Sequence, residues 1–110
     1  MPRRRKDHAM AYVTAPDRET ARTIARRVVE RHLAACANFW PVESVYRWRG
    51  TLEESNEFVI VFKTQSRRMP ALIEAVREIH PDEVPCIVSY PMGPGLPRYL
   101  DWIDAETDQR

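Results

Sequence analysis

The 110-residue sequence has no long apolar run, no dominant sign of charge and no closely spaced cysteine pair. None of its apolar stretches approaches the roughly 20 residues that span a bilayer, and no apolar segment of signal type follows the basic start, so neither a membrane helix nor a secretory signal is expected. Seventeen Lys and Arg against sixteen Asp and Glu leave a formal charge of +1. No global field therefore draws the chain toward nucleic acid or a membrane surface. The two cysteines, Cys36 and Cys86, lack CxxC spacing, and a reducing compartment would keep them as thiols. The expected location is cytoplasmic. Catalytic signatures are missing as well. No glycine-rich phosphate loop follows the first apolar segment, where the chain reads TAPDRET, and no Ser/His/Asp or Cys/His set can be brought together from sequence. The expectation is a protein that is not an enzyme.

What is present suits a single soluble domain. Hydrophobic residues make up 44% and charged ones 30%, a balance that supports one core without marking the body of the chain as disordered. The basic cluster Arg3, Arg4, Arg5 and Lys6 reads as part of a solvated, disordered tail over residues 1–9, with the domain at 10–105 and a polar tail at 106–110.

Residues 10–14, MAYVT, form a short apolar strand that runs into Ala15-Pro16-Asp17, a turn ending in a helix-capping residue. Ala21, Ile24, Ala25, Val28 and Val29 then follow helical spacing, with Arg18, Arg22, Arg26 and Arg31 on the other side. CANFWPVESVYRW at 36–48 is a long strand interrupted at Pro41, which implies an edge or a bulge. Arg49-Gly50 reverses the chain into TLEESNEFVIVFKTQ, whose FVIVF core reads as buried on both faces. Met69, Leu72, Ile73, Val76 and Ile79 mark a second helix, started near Pro70 and stopped by Pro81. CIVSYPM at 86–92 is a fourth strand, and LPRYLDWIDA at 96–105 a short last helix.

The order β-α-β-β-α-β plus a terminal helix is the α+β, ferredoxin-like split arrangement, an antiparallel sheet with both main helices on one face. Its hairpin is too long for its cover. A helix over 69–80 spans roughly 18 Å, whereas a strand over 51–64 reaches roughly 46 Å. The distal part carries Tyr46, Trp48 and Leu52 and two unpaired edges, which other copies of the chain are expected to bury. Each large aromatic so buried contributes on the order of 1.5–3 kcal/mol. A homo-oligomer is expected.

The stretches ACANFWPVESVYRWRG, EFVIVFKT and HPDEVPCI, in that order and with A-C-A-N, Y-R-W-x-G, F-K-T and H-P-x-E-V-P at these spacings, resemble the CutA (CutA1) divalent-cation tolerance proteins from about Tyr12 to Trp102. The resemblance implies a ferredoxin-like fold, a tight homotrimer, and a soluble protein linked to copper and other divalent ions, without a settled biochemical activity. It also implies an intersubunit cleft containing Tyr46, Trp48, Glu57, Lys63 and the corner at His80. This sequence departs from the family by having Asp82 where a tyrosine is usual and Cys86 where a thiol is not.

The corner IHPDEVPCI, stiffened by Pro81 and Pro85, admits two readings. His80, Asp82, Glu83 and Cys86, joined by Cys36 or by a neighbouring subunit, offer a nitrogen, oxygen and sulfur mixture acceptable to Cu(II) or Zn(II), although residues this close on an extended chain do not converge on one ion unaided. Alternatively His80 ends the helix by donating to its last carbonyls, and Asp82 and Glu83 form a solvated turn. Cys36 reads either as a small buried hydrophobe or as a metal ligand. Glu57 and Lys63 point to one face with Val59 and Val61 but lie about 20 Å apart. His8, in the tail, and His32, at a helix end, carry little signal. No metal is expected to be required for folding. An RNA-binding module of RRM-like topology is the alternative, weakened by the missing glycine-aromatic half of the RNP1 pattern and by the near-neutral charge.

Overall fold

The computed structural model describes residues 7–109. The basic cluster Arg3–Lys6 and the terminal Arg110 lie outside the described residues.

The chain runs β1 (His8–Ala15), α1 (Arg18–Glu30), β2 (Cys36–Trp48), β3 (Thr51–Gln65), a 3-10 turn (Ser66–Arg68), α2 (Met69–Ile79), β4 (Ile87–Pro91) and α3 (Pro97–Thr107). The strands form one antiparallel sheet in the order β2-β3-β1-β4, the ferredoxin-like arrangement. Strand β1 begins at His8, two residues before the boundary read from sequence, and α3 continues two residues beyond 105.

Alternation along the strands decides which face is buried. Ala9, Ala11, Val13 and Ala15 stand opposite Thr64, Phe62, Ile60 and Phe58, and this face packs against Ile24, Val28, Leu72 and Val76 of the two main helices. On the other face Val59 is fully buried, whereas Val61 is only half-buried. FVIVF is thus more lopsided within one chain than its composition implies.

Strand β2 is continuous from Cys36 to Trp48, not interrupted. Pro41 is accommodated because β2 is an edge strand, so its missing N–H breaks no second ladder. At the tip, Arg49 and Gly50 both adopt left-handed backbone angles, φ 50° and 81°, the geometry of a two-residue turn matched to strand twist. Strand β1 ends opposite Phe58 while β3 begins at Thr51, so residues 51–57 pair only with β2. The molecule is drawn out to 55 × 24 × 21 Å.

Helix α3 crosses the sheet face opposite α1 and α2. Ile103 is buried there, and polar contacts hold the rest. His8 Nε2 lies 2.7 Å from an Asp104 carboxylate oxygen, His32 Nδ1 lies 3.0 Å from the Glu106 carbonyl, and Gln65 donates to Thr107 Oγ1 at 2.9 Å. The two histidines set aside on sequence are therefore the anchors of the last helix.

Helix α1 starts where its cap predicts. The Asp17 side chain accepts from the Thr20 backbone N–H at 2.8 Å, and that bond holds its carboxyl below the ordinary value of 3.8. A depressed carboxylate contributes stability that is present above the unfolded value and lost as pH falls through the folded one. Asp17→Ala is accordingly expected to lower Tm at neutral pH, with the difference from the parent protein shrinking in thermal melts taken progressively below pH 3.8.

Candidate functional site

The overhanging hairpin and the corner after α2 together enclose a groove of about 790 Å³. Alternation on β2 presents Ser44, Tyr46 and Trp48 to one face, and Glu57 follows from β3 on that same face. From the corner come Asp82, Glu83 and Cys86, with Pro81 and Val84 between them. Glu43 adds a fourth carboxylate, one that sequence reading missed. Strand spacing gave no sign of it, since Glu43 stands opposite Asn56 and so projects from the face away from Glu57.

One ion pair spans the groove at the hairpin tip. Arg49 donates from its guanidinium to Glu83 at 2.6 Å and also lies over the Trp48 ring, 5.1 Å from its centroid. Both partners of the ion pair are about two-thirds exposed, so the bridge orients the corner more than it stabilises the fold.

His80 has another role. Its Nε2 donates to the Thr14 carbonyl at 2.7 Å, and its Nδ1 accepts from the Asp82 backbone N–H at 3.1 Å. With both ring nitrogens engaged and the side chain wholly buried, the imidazole pins the corner to β1. It does not serve the last helix carbonyls. Proline explains the position: Pro81 holds His80 extended, φ −77° and ψ 133°, which swings the ring off the helix axis toward β1.

Cys36 is likewise separated from the corner. It pairs with Lys63, while Thr14 pairs with Val59, four residues and about 13 Å along β3. Lys63 shares the face of Glu57 but not its groove. Its ammonium lies 3.4 Å from the Asn38 side-chain oxygen and 5.6 Å from the Tyr99 ring centroid. Of the residues nominated from sequence, Tyr46, Trp48, Glu57, Asp82, Glu83 and Cys86 therefore meet, and His80, Cys36 and Lys63 do not join them. Among the described residues no group of three or more His, Cys, Asp or Glu side chains is gathered closely enough to hold a metal ion.

Comparison with known proteins settles the lineage. Residues 9–106 match the family model described as CutA1 divalent ion tolerance protein. The chain belongs to the CutA1 family. It is 40% identical over 97 residues to the divalent-cation tolerance protein CutA of Archaeoglobus fulgidus, covering 88% of this chain and 95% of that one. It is 46% identical over 99 residues to Protein CutA of Mus musculus, covering 89% of this chain but only 56% of the mouse protein. The chain thus spans little more than half of that relative. Among solved structures, the A. fulgidus protein, described as periplasmic, superposes with a TM-score of 0.89 at 39% identity, covering 91% of this chain and 98% of that one. CutA from Xylella fastidiosa does so with a TM-score of 0.90 at 35% identity, covering 93% and 99%. Nothing in the fold or in these likenesses favours the RNA-binding alternative. No helix among the described residues is long and apolar enough to cross a membrane.

The role of His80 is open to measurement on metal-free protein. His80→Ala leaves the Thr14 carbonyl and the Asp82 N–H without their partner, and each such group costs about 1–3 kcal/mol when water cannot replace it. Urea unfolding should show that loss with no metal present; a histidine serving only as a metal ligand would leave the metal-free stability unchanged.

Proposed function

We propose that this CutA1 family member is a non-catalytic homotrimer that binds copper or another divalent cation in the groove between hairpin and corner, each groove completed by a neighbouring copy. The observation that carries the reading is the groove's lining: four carboxylates, Glu43, Glu57, Asp82 and Glu83, with the Cys86 thiol and the Trp48 and Tyr46 rings. Carboxylate oxygen with a thiolate is a donor set that Cu(II) and Zn(II) accept. Arg49 offsets only one of the charges. Too few donors converge within one chain, and this supports the need for a second copy. The names of the relatives, divalent-cation tolerance protein, point the same way.

Assembly is supported by the surface left bare. Val45 and Leu52 on the overhang are 64% and 60% exposed, and Trp40, Val88 and Tyr90 stand uncovered on the sheet face opposite α1 and α2. Large apolar residues left bare on both faces of the sheet, together with the unpaired edges of β2 and β4, are the sort of surface that copies of a chain cover. The two free thiols suit a reducing compartment such as the cytoplasm. Family members differ in this respect, since relatives are described as periplasmic and chloroplastic.

Light scattering should return three times the mass of the 12.9 kDa chain at dilute concentration; a stable folded monomer would remove the shared groove. Titrating metal-free protein with Cu(II) by calorimetry should give saturable binding, weakened by about tenfold or more in Glu57→Gln/Glu83→Gln, since each lost ligand interaction of about 1.4 kcal/mol is tenfold in affinity. An isotherm unaltered by the double change would place the ion elsewhere. Metal is not expected to be required for folding, so chelator should lower the Tm of metal-loaded protein only to that of metal-free protein, which should still melt cooperatively.

A further inference from the structure

Helix α1 lies on the other side of the sheet from α3, and its outward face is dominated by arginine. Arg18, Arg22, Arg26, Arg27 and Arg31 are all exposed, against two exposed acids, Glu19 and Glu30. Arg26 pairs with Glu30 at 3.4 Å. Among the described residues the other four arginines have no acid partner.

This pattern opposes the helix that carries it. Arg18 and Arg22, Arg22 and Arg26, and Arg27 and Arg31 are each four residues apart, and like charges at that spacing are neighbours that repel. Arg18 also stands in the first turn, at the positive end of the helix dipole, where an acid is favoured. Packing does not account for these side chains, since α1 buries its other face through Ala21, Ile24, Ala25 and Val28. Local charge choices that work against the fold without a compensating contact are expected where a surface serves something outside the chain. The face also stays free on assembly. Among the described residues the large apolar side chains left bare lie on β2, β3, β4, α3 and the loops beside them, and none lies on α1 or α2. An assembly of copies built on that apolar surface leaves α1 outward.

Shape and charge narrow the occupant. The arginines form two rows, Arg18-Arg22-Arg26 and Arg27-Arg31, with the exposed Thr23 between them. Together they run about 20 Å along the axis, and each row steps about 6 Å per four residues. Successive side chains of an extended peptide point to opposite sides and recur on one side about every 7 Å, so about six consecutive acids laid between the rows match both the length and the step. A membrane fits less well, because α1 exposes no large apolar residue to insert. A nucleic-acid duplex fits less well too. Helix α2, packed alongside, borders the face with the exposed acids Glu74 and Glu78, and the face holds no aromatic ring or side-chain amide to stack on or read a base.

We propose that the outer face of α1 is a docking site for an extended acidic segment of a partner protein, its carboxylates paired with the guanidinium groups of Arg18, Arg22, Arg27 and Arg31. The bound carboxylates cancel the repulsion along both rows. The groove and its metal play no part.

A fluorescein-labelled octaglutamate peptide is the probe, titrated with the full-length metal-free protein and read by anisotropy. Binding should saturate, and it should weaken by about tenfold between roughly 20 and 200 mM salt. Arg18→Gln/Arg22→Gln should weaken it by about threefold to tenfold, the loss of two exposed charge pairs. The same change should raise the Tm of the free protein by about 2 °C, since it removes two like-charge contacts from the helix. This opposite movement separates a docking residue from a structural one, whose loss would lower both. A Tm that falls, peptide binding that is absent or unmoved by the double change, or a preference for duplex DNA or phosphatidylserine vesicles over the peptide would overturn the assignment. So would a mass that climbs above that of one assembly at low salt and returns in the variant, because the occupant would then be a second copy.

Discussion

The pairing of β2 with β3 beyond the end of β1 is the constraint on which the rest of this structure depends. From Thr51 to Glu57 the ribbon has one partner strand and no helix behind it. Two strands alone are marginal in water, so this arm persists because it continues from a segment of β3 that is gripped on both sides. Its turn favours that continuation, since Arg49 and Gly50 adopt the left-handed angles that match the twist of the strands. The arm in turn creates the groove, by giving the corner after α2 something to stand against.

Two proline-stiffened positions make that corner specific. Pro81 stops α2 and holds His80 extended, and the imidazole then bridges the Thr14 carbonyl and the Asp82 N–H. One side chain, bonded to backbone through both ring nitrogens, fixes the segment that carries Asp82, Glu83 and Cys86. At the opposite end, α3 is fixed by the same kind of chemistry through His8, His32 and Gln65. Helix α3 in turn carries Tyr99 onto Cys36. The two ends of the ribbon thus present one thiol among carboxylates and one beside an ammonium, and the separation of β1 register positions keeps them apart.

Most of the fold could be read from residues. The 3.6-residue spacing in α1 and α2, the Asp17 cap, Pro70 and Pro81 at the ends of α2, and the Arg49-Gly50 reversal each declare a local structure, because each acts through neighbours in the chain. Family membership was legible for the same reason, as motifs are local strings. Boundaries fared less well where tertiary contact overrides composition. Strand β1 is extended to His8 by pairing with Gln65, and β2 passes through Pro41 without a break because its far side has no ladder to lose. His8 and His32 looked idle because their partners, Asp104 and Glu106, are 96 and 74 residues away.

By itself the sequence determined the order of elements, the antiparallel fold, the overreach of the hairpin and the chemical types at the corner, since all of these follow from periodicity, chain length and the fixed preferences of proline and glycine. Only the tertiary structure decided which of the nominated side chains meet. It turned His80 inward to a backbone carbonyl, drew Glu43 and Glu57 toward Asp82 and Glu83, and set Cys36 and Lys63 against Tyr99 at the far end. Convergence of side chains depends on register across strands and on where an imidazole finds its acceptor, and neither is encoded in the spacing of residues along one strand.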